Sequence, residues 1–426
     1  MSSSAAHHPL FRDVLWDFIR ADSAEDSLRL RVCGTNEELL EQDEIDEGLQ
    51  WTVPRGLVPA RTEQRRIEPL SLSIAQGAGQ RLWMSLPDVA RHRVEAPGAL
   101  PVRLRISGDV KEVRYLPWEC MPLPPGAVVC RSIPVASPLP PVVVRQPPVR
   151  ALYVVTNPKD ERLLQAGTEL EAIRMTSPSY THQVVSEPTL AGLGRALKAV
   201  QPHIVHYVGH SATSGGQGYL ILHDNDQNTH WISAREFATV LPSTVRLVCL
   251  STCFTAENYD IRGLALFAQA TGDASLPSVV GNRLPLTGSS QQTVRLFWQT
   301  FYTELLNAQG DTTSAFARAR EAIRGTDEWA AFSFVVRDGL GWGLALSPAA
   351  PLGAAPALEE APSASSKMKE FDALYTTSIA NYLARQTSIA PPAAREVLRA
   401  HSRLEAERAR EALSSLDFDW PGKGEL

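Results

Sequence analysis

His203-Ile204-Val205-His206-Tyr207-Val208-Gly209-His210-Ser211 and Val245-Arg246-Leu247-Val248-Cys249-Leu250-Ser251-Thr252-Cys253-Phe254 are the two stretches that decide the fold. Each is a short β-branched and aliphatic run that breaks off at a reactive side chain, His210 in the first and Cys253 in the second. Buried strands of a parallel sheet have this composition, and open α/β sheets carry their chemistry at the C-terminal ends of such strands. We therefore expect a cysteine-histidine hydrolase site. A thiol attacks only as thiolate, and a nearby histidine provides it by taking the proton or by standing beside it as imidazolium. Adjacent strand ends lie about 5 Å apart, so His210 and Cys253 can face each other across a substrate although they are distant in sequence.

Strand geometry sorts the remaining candidates. At about 3.3 Å per residue, His206 and His210 are roughly 13 Å apart, too far to share a zinc ion whose ligand bonds are about 2 Å long. His203 falls on the opposite face from both. His206, in mid-strand, reads as a satisfied core histidine and Cys249 as a core thiol, whereas His210 follows Gly209 at the strand exit. No metal or other cofactor is expected.

Working outward, strand and helix patterns alternate. Strands are expected at Val149–Thr156, His182–Ser186, Pro277–Gly281 and Ala331–Val336. Helices are expected around Leu163–Ile173, Thr189–Val200, Ser233–Val240, Gly263–Thr271, Gln291–Leu306 and Ala315–Ile323, with a polar hairpin-like insertion at Ser211–Thr229. The stripe Val294, Phe297, Trp298, Phe301, Tyr302, Leu305 has helical spacing and reads as core. Such alternation predicts an α/β fold, a mainly parallel sheet with helices on both faces. Earlier, Phe11, Val14, Leu15 and Phe18 suit a short amphipathic helix, while Leu28–Val32 and Val102–Ile106 alternate with period two and read as strands. Gly77–Pro87 reads as a turn into a short helix. Pro117 bars a central strand position at Tyr115–Cys120, where Trp118 reads as a core anchor. The acidic run Glu37–Glu47 reads as a solvated face, and the prolines of Pro134–Pro148 as an extended crossing. Pro348–Ser366 is an Ala/Pro/Ser linker, followed by two helical patterns split by Pro391-Pro392 that either dock on the core or bind a partner.

Composition narrows the function. The 426 residues carry 41 basic and 47 acidic side chains, a net charge of -6, which gives no footprint for nucleic acid. The 5 cysteines are odd in number and lack CxxC spacing, so a disulfide framework or zinc ribbon is not expected and a reduced, cytoplasmic setting is. Neither a secretion signal nor a membrane span is expected.

Several motifs then agree with one family. Tyr207-Val208-Gly209-His210-Ser211, Leu250-Ser251-Thr252-Cys253, Phe301-Tyr302-X-X-Leu305, Ala317-X-X-Arg320, Trp329-Ala330-Ala331-Phe332 and Leu116-Pro117-Trp118-Glu119 resemble those of the CHAT family over roughly residues 68 to 345. CHAT domains are bacterial relatives of caspases and separases. The resemblance implies a caspase-haemoglobinase-like fold with a mainly parallel sheet of about six strands. It further implies peptide-bond hydrolysis and a catalytic dyad of His210 and Cys253, with the backbone N–H groups of Ser211 and Cys253 holding the oxyanion. CHAT proteins usually read Gly-His-Gly; here Ser211 stands after the histidine, with an N–H but less freedom to reach positive φ. By similarity to the fold, the substrate-binding pocket is lined by the loop Asn157 to Glu161 and by Ser251. Asp160 there would favour a basic residue before the scissile bond, unless it is simply an exposed loop acid.

The expected organisation is an N-terminal region of unknown family (1–67), a β-rich N-terminal part of the CHAT region (68–148), a caspase-like catalytic domain (149–346), the linker (347–366) and a short helical tail (367–426). The expected activity is a cysteine endopeptidase in bacterial defence or regulated proteolysis, with a protein substrate and an activating or adaptor protein or ligand. A catalytically silent scaffold used for assembly is the alternative, and a small-molecule cysteine hydrolase a third.

Overall fold

The structure, a computed structural model, describes residues 11–20, 27–34, 49–52, 72–98, 100–107, 113, 116–133, 142–144, 149–159, 166–174, 180–214, 217–254, 278–282, 291–337 and 344–346. In chain order, β1 (Arg12–Arg20), β2 (Ser27–Gly34) and β3 (Leu49–Thr52) form an antiparallel meander. Helices α1 (Leu72–Ser85) and α2 (Asp88–Glu95) follow, then β4 (Val102–Ser107), a 3-10 turn at Trp118–Cys120, β5 (Val128–Ile133) and β6 (Val142–Val144). The alternating part runs β7 (Val149–Val155), α3 (Ala166–Arg174), β8 (Tyr180–Ser186), α4 (Leu190–Val200) and β9 (Ile204–Ser214). It continues through the hairpin of β10 (Gln217–His223) and β11 (Thr229–Ser233) to α5 (Ala234–Val240) and β12 (Leu247–Phe254). The last elements are β13 (Ser278–Asn282), α6 (Gln291–Asn307), α7 (Thr312–Ala322), β14 (Phe332–Arg337) and β15 (Leu344–Leu346).

The strands β8-β7-β9-β12-β13-β14 lie side by side, the first five parallel and β14 antiparallel to β13. The expectation of six strands is nevertheless too small. The sheet has 13 strands among the described residues, because β14 also pairs with β5, and β5-β4-β1-β2-β3 carry the hydrogen bonding on. Beyond β7's reach, the last residues of β9 pair with β10. A second sheet joins β6 and β15.

Alternation assigns the faces. Ile204 and Val208 of β9, Ala151 and Tyr153 of β7, and Leu247 and Cys249 of β12 pack with Leu170, Ile173, Phe297, Trp298, Phe301 and Phe316 of α3, α6 and α7. Val205, Tyr207, Leu152, Val154, Val248 and Leu250 pack on the other side with Leu193 and Leu197 of α4 and Phe237 of α5. Thr189 caps α4 by accepting the Gly192 N–H, and Ser233 with Glu236 forms a capping box on α5. Helices thus cover both faces, which is why β9 and β12 can carry apolar side chains on each.

The segment Phe11–Arg20 is strand β1, not the expected helix. Val14, Trp16 and Phe18 are buried and the residues between them only partly so, a period of two; the helical reading left Trp16 unplaced. Helix α1 starts before Gly77, and Gly79 is required there because a Cβ would run into the Cys120 carbonyl. The acidic run, most of the proline crossing, the expected helix over 263–271, the linker and the tail helices lie outside the described residues.

One buried junction ties the first sheet strands to the last elements. Glu119, 1% exposed, binds Arg131 through both carboxylate oxygens at 2.7 Å and accepts from the Ser333 hydroxyl, while its carbonyl accepts from Arg320 at 2.6 Å. Arg320 also stacks over Trp329. Removing one partner of such a pair strands a buried charge. Glu119→Ala is expected to cost about 3–5 kcal/mol of stability, read as a lowered midpoint in chemical denaturation.

Candidate active site

Strands β9 and β12 are paired in parallel from Leu247↔Ile204 to Phe254↔Ser211, and Cys253 stands opposite His210. Two side chains fix the backbone just short of these positions. On β9 the buried Tyr207 hydroxyl donates to the His210 carbonyl at 2.6 Å, and it also contacts Thr156 Oγ1 at 3.0 Å and the Ile221 backbone. Gly209 leaves the room for this, since a Cβ there would strike both the Tyr207 hydroxyl and Thr156 Oγ1. On β12 the Asn282 carboxamide accepts the Thr252 N–H at 2.9 Å and donates to the Thr252 carbonyl at 2.7 Å.

The two N–H groups expected to hold an oxyanion both sit in the ladder. In a trans peptide the N–H points opposite to the carbonyl, so with the Thr252 carbonyl turned to Asn282 the Cys253 N–H points toward β9. Ser211 has a strand on each side, Phe254 opposite it on β12 and Leu220 on β10. Its backbone is extended within β9, and its hydroxyl is buried with no hydrogen-bond partner among the described residues.

Beneath the pair lies a polar chain in the apolar core. His206 Nδ1 meets the Tyr302 hydroxyl and its Nε2 meets Glu169, each at 2.9 Å; the other Glu169 oxygen accepts from Ser251 Oγ at 2.8 Å. His206 is thus a core histidine bonded at both ring nitrogens. Ser251 is 4% exposed and turned to Glu169. Burial pushes the Cys249 thiol up, as it does Cys130, which keeps both as inert thiols. Asp160 lies outside the described residues. The start of its loop is tied to the β10–β11 hairpin, Asn157 N–H donating to His223 Nε2 and Lys159 N–H to the Gln227 carbonyl. Among the described residues no group of three or more His, Cys, Asp or Glu is placed to hold a metal ion, and no helix is long and apolar enough to cross a membrane.

A family model for the CHAT domain matches residues 76–338, more than half of the chain. The chain belongs to the CHAT family. That is a caspase-like cysteine peptidase family; no curated protein matches the chain. The CHAT motifs divide by place. Tyr207–Ser211 and Leu250–Cys253 form the facing strand ends, Phe301, Tyr302 and Leu305 the α6 face beneath them, and Leu116–Glu119, Arg320 and Trp329–Phe332 the remote junction.

Sequence patterns missed Glu169 and Asn282. Nothing marks Glu169, a single acid on a helix. Asn282 does carry the sign that singled out His210 and Cys253, a polar residue closing an apolar run, here Val279-Val280-Gly281.

Two outcomes test this geometry. Gly209→Ala is expected to lower stability by about 1–3 kcal/mol in thermal denaturation, because neither Thr156 nor Tyr207 has space to yield. His203, at the other end of β9, accepts the Arg150 N–H, and burial followed by Arg150 and Arg246 lowers its pKa to about 4. The folded state therefore keeps it neutral while the unfolded chain takes up a proton near pH 6.5. Its stabilisation is complete above that pH and is lost as pH falls toward 4; His203→Gln should flatten this limb of a stability-against-pH curve.

Proposed function

We propose that the chain is a cysteine endopeptidase in which Cys253 is the nucleophile and His210 the general base. The observation that carries this reading is the pairing of Cys253 with His210 at the C-terminal ends of adjacent parallel strands in a CHAT domain. His210 takes the thiol proton, and the thiolate adds to the scissile carbonyl carbon. The carbonyl π pair moves to oxygen, and its return expels the amine, which takes the proton from His210. Water then adds to the thioester by the same route, releasing the acid and restoring the thiol.

The substrate is a protein cleaved at few sites, and activity is switched on by a partner or ligand in bacterial defence or regulated proteolysis in the cytoplasm. Residues 149–346 are the catalytic domain and 68–148 its N-terminal part; the region 1–67 and the tail 367–426, beyond the linker, receive the partner. The N–H groups of Cys253 and Ser211 hold the oxyanion once the last rungs between β9 and β12 part, and that parting is the activating step. Asp160 contacts substrate, whereas Ser251, expected to do so, has its hydroxyl turned to Glu169 and supports the site from beneath.

A catalytically silent scaffold is the second reading, favoured by Ser211 standing between two strands where a glycine is usual.

Co-expression with neighbouring gene products separates the two. A neighbour is expected to be cleaved by wild type and left intact by Cys253→Ala; cleavage in both, or in neither, counts against the peptidase. In the same cells iodoacetamide should alkylate Cys253 well below the ordinary thiol pKa of about 8.5, and His210→Ala should return the profile to it.

A further inference from the structure

We propose that Asn282 is a positioning residue for acyl transfer at Cys253, holding the Thr252–Cys253 peptide plane so that its N–H aims at the developing oxyanion. The inference rests on the peptidase reading. Backbone pairing between β12 and β13 ends at Leu250↔Gly281. Asn282, the next residue, is 3% exposed and held opposite Phe332 of β14. Its carboxamide offers one C=O and one N–H to Thr252, as a strand backbone would, and so supplies the rung that β13 no longer makes. It accepts from the Thr252 N–H at 2.9 Å and from Thr252 Oγ1 at 3.2 Å, and donates to the Thr252 carbonyl at 2.7 Å.

That last bond does more than extend the ladder. The Thr252 carbonyl and the Cys253 N–H belong to one planar trans peptide, so fixing the oxygen toward β13 fixes the N–H toward β9. A donor on the carbonyl also polarises the peptide and strengthens its N–H. An oxyanion formed between the two strand ends meets an N–H already aimed at it, with no reorganisation during reaction.

The distinguishing feature is that only acyl transfer uses this N–H. p-Nitrophenyl acetate acylates a thiolate through an oxyanion: the C–S bond forms, the carbonyl pair moves to oxygen, and its return expels p-nitrophenolate. Iodoacetamide reacts by displacement of iodide at carbon and builds no oxyanion. Both reagents are applied to the full chain purified from cells co-expressing its neighbouring gene products, and modification is quantified on the Cys253 peptide by mass spectrometry after acid quench.

Asn282→Asp keeps the acceptor for the Thr252 N–H and loses the donor to the Thr252 carbonyl. It is expected to fold with a lowered thermal midpoint, because a buried carboxylate oxygen then faces the Thr252 carbonyl, to alkylate within about twofold of wild type, and to acylate about 100-fold more slowly. Asn282→Leu, lacking all three bonds, is expected to show the same split. An unchanged acylation rate in Asn282→Asp, or an equal loss in both reactions, overturns the positioning role. If wild-type Cys253 alkylates no faster than a free cysteine peptide, the peptidase reading fails and this inference with it; a fast wild type without the split overturns the inference alone.

Discussion

The parallel pairing of β9 with β12 is the contact on which the rest of the structure turns, since it alone brings a histidine and a cysteine far apart in sequence to opposite positions. A register shift of one residue would set His210 against Thr252 or Phe254 and send the paired side chains to opposite faces. Apolar burial alone specifies such a register weakly here, because both faces of both strands are covered and both are apolar. Polar contacts supply what burial leaves open. Ser251 meets Glu169, Thr252 meets Asn282, and Tyr207 meets Thr156 and the Ile221 backbone. Each of these bonds is made in one register and lost in its neighbours, and a buried polar group left without its partner costs about 1–3 kcal/mol.

The same groups explain a polar chain where the core could have been greasy throughout. Glu169, His206, Tyr302 and Ser251 join α3, β9, α6 and β12, and the rings of Tyr153, Trp298 and Tyr302 close around His206. Four elements are thereby fixed relative to one another directly below the strand ends. The second buried cluster, Glu119 with Arg131, Arg320 and Ser333, does the equivalent work away from the site. It joins β5, the Trp118–Cys120 turn, α7 and β14, so that the strands contributed by the N-terminal half extend the sheet rather than packing beside it.

Local periodicity carried most of the architecture in the sequence. Short aliphatic runs marked β7, β9, β12 and β13, and the aromatic stripe of α6 marked the helix that covers the strand ends. Where two periods could be fitted to one segment, the choice failed: Phe11, Val14, Leu15 and Phe18 satisfy a helix, and only the burial of Trp16 between half-buried neighbours reveals a strand. Sheet size was illegible for a related reason. Nothing local tells a strand which neighbour it will join, so the union of β14 with β5 that enlarges the sheet has no sequence mark. At the site, His210 and Cys253 could be picked out because they end runs. Glu169 could not, because its partners Ser251 and His206 lie on other elements and no spacing links them.

The two strand ends are not held alike. On β12 the Thr252 peptide is gripped by a side chain from β13, a short and fully buried strand. On β9 the residues after His210 run on into Ser214 and are paired to β10, whose hairpin partner β11 is an edge strand and whose turn holds the loop after β7 through Gln227 and Asp226. The Thr252 peptide is thus held from within the sheet by β13, and the residues after His210 by a hairpin at its margin. The direction of the Cys253 N–H therefore depends on β13 rather than on the hairpin, and the two strand ends that face each other owe their positions to different neighbours.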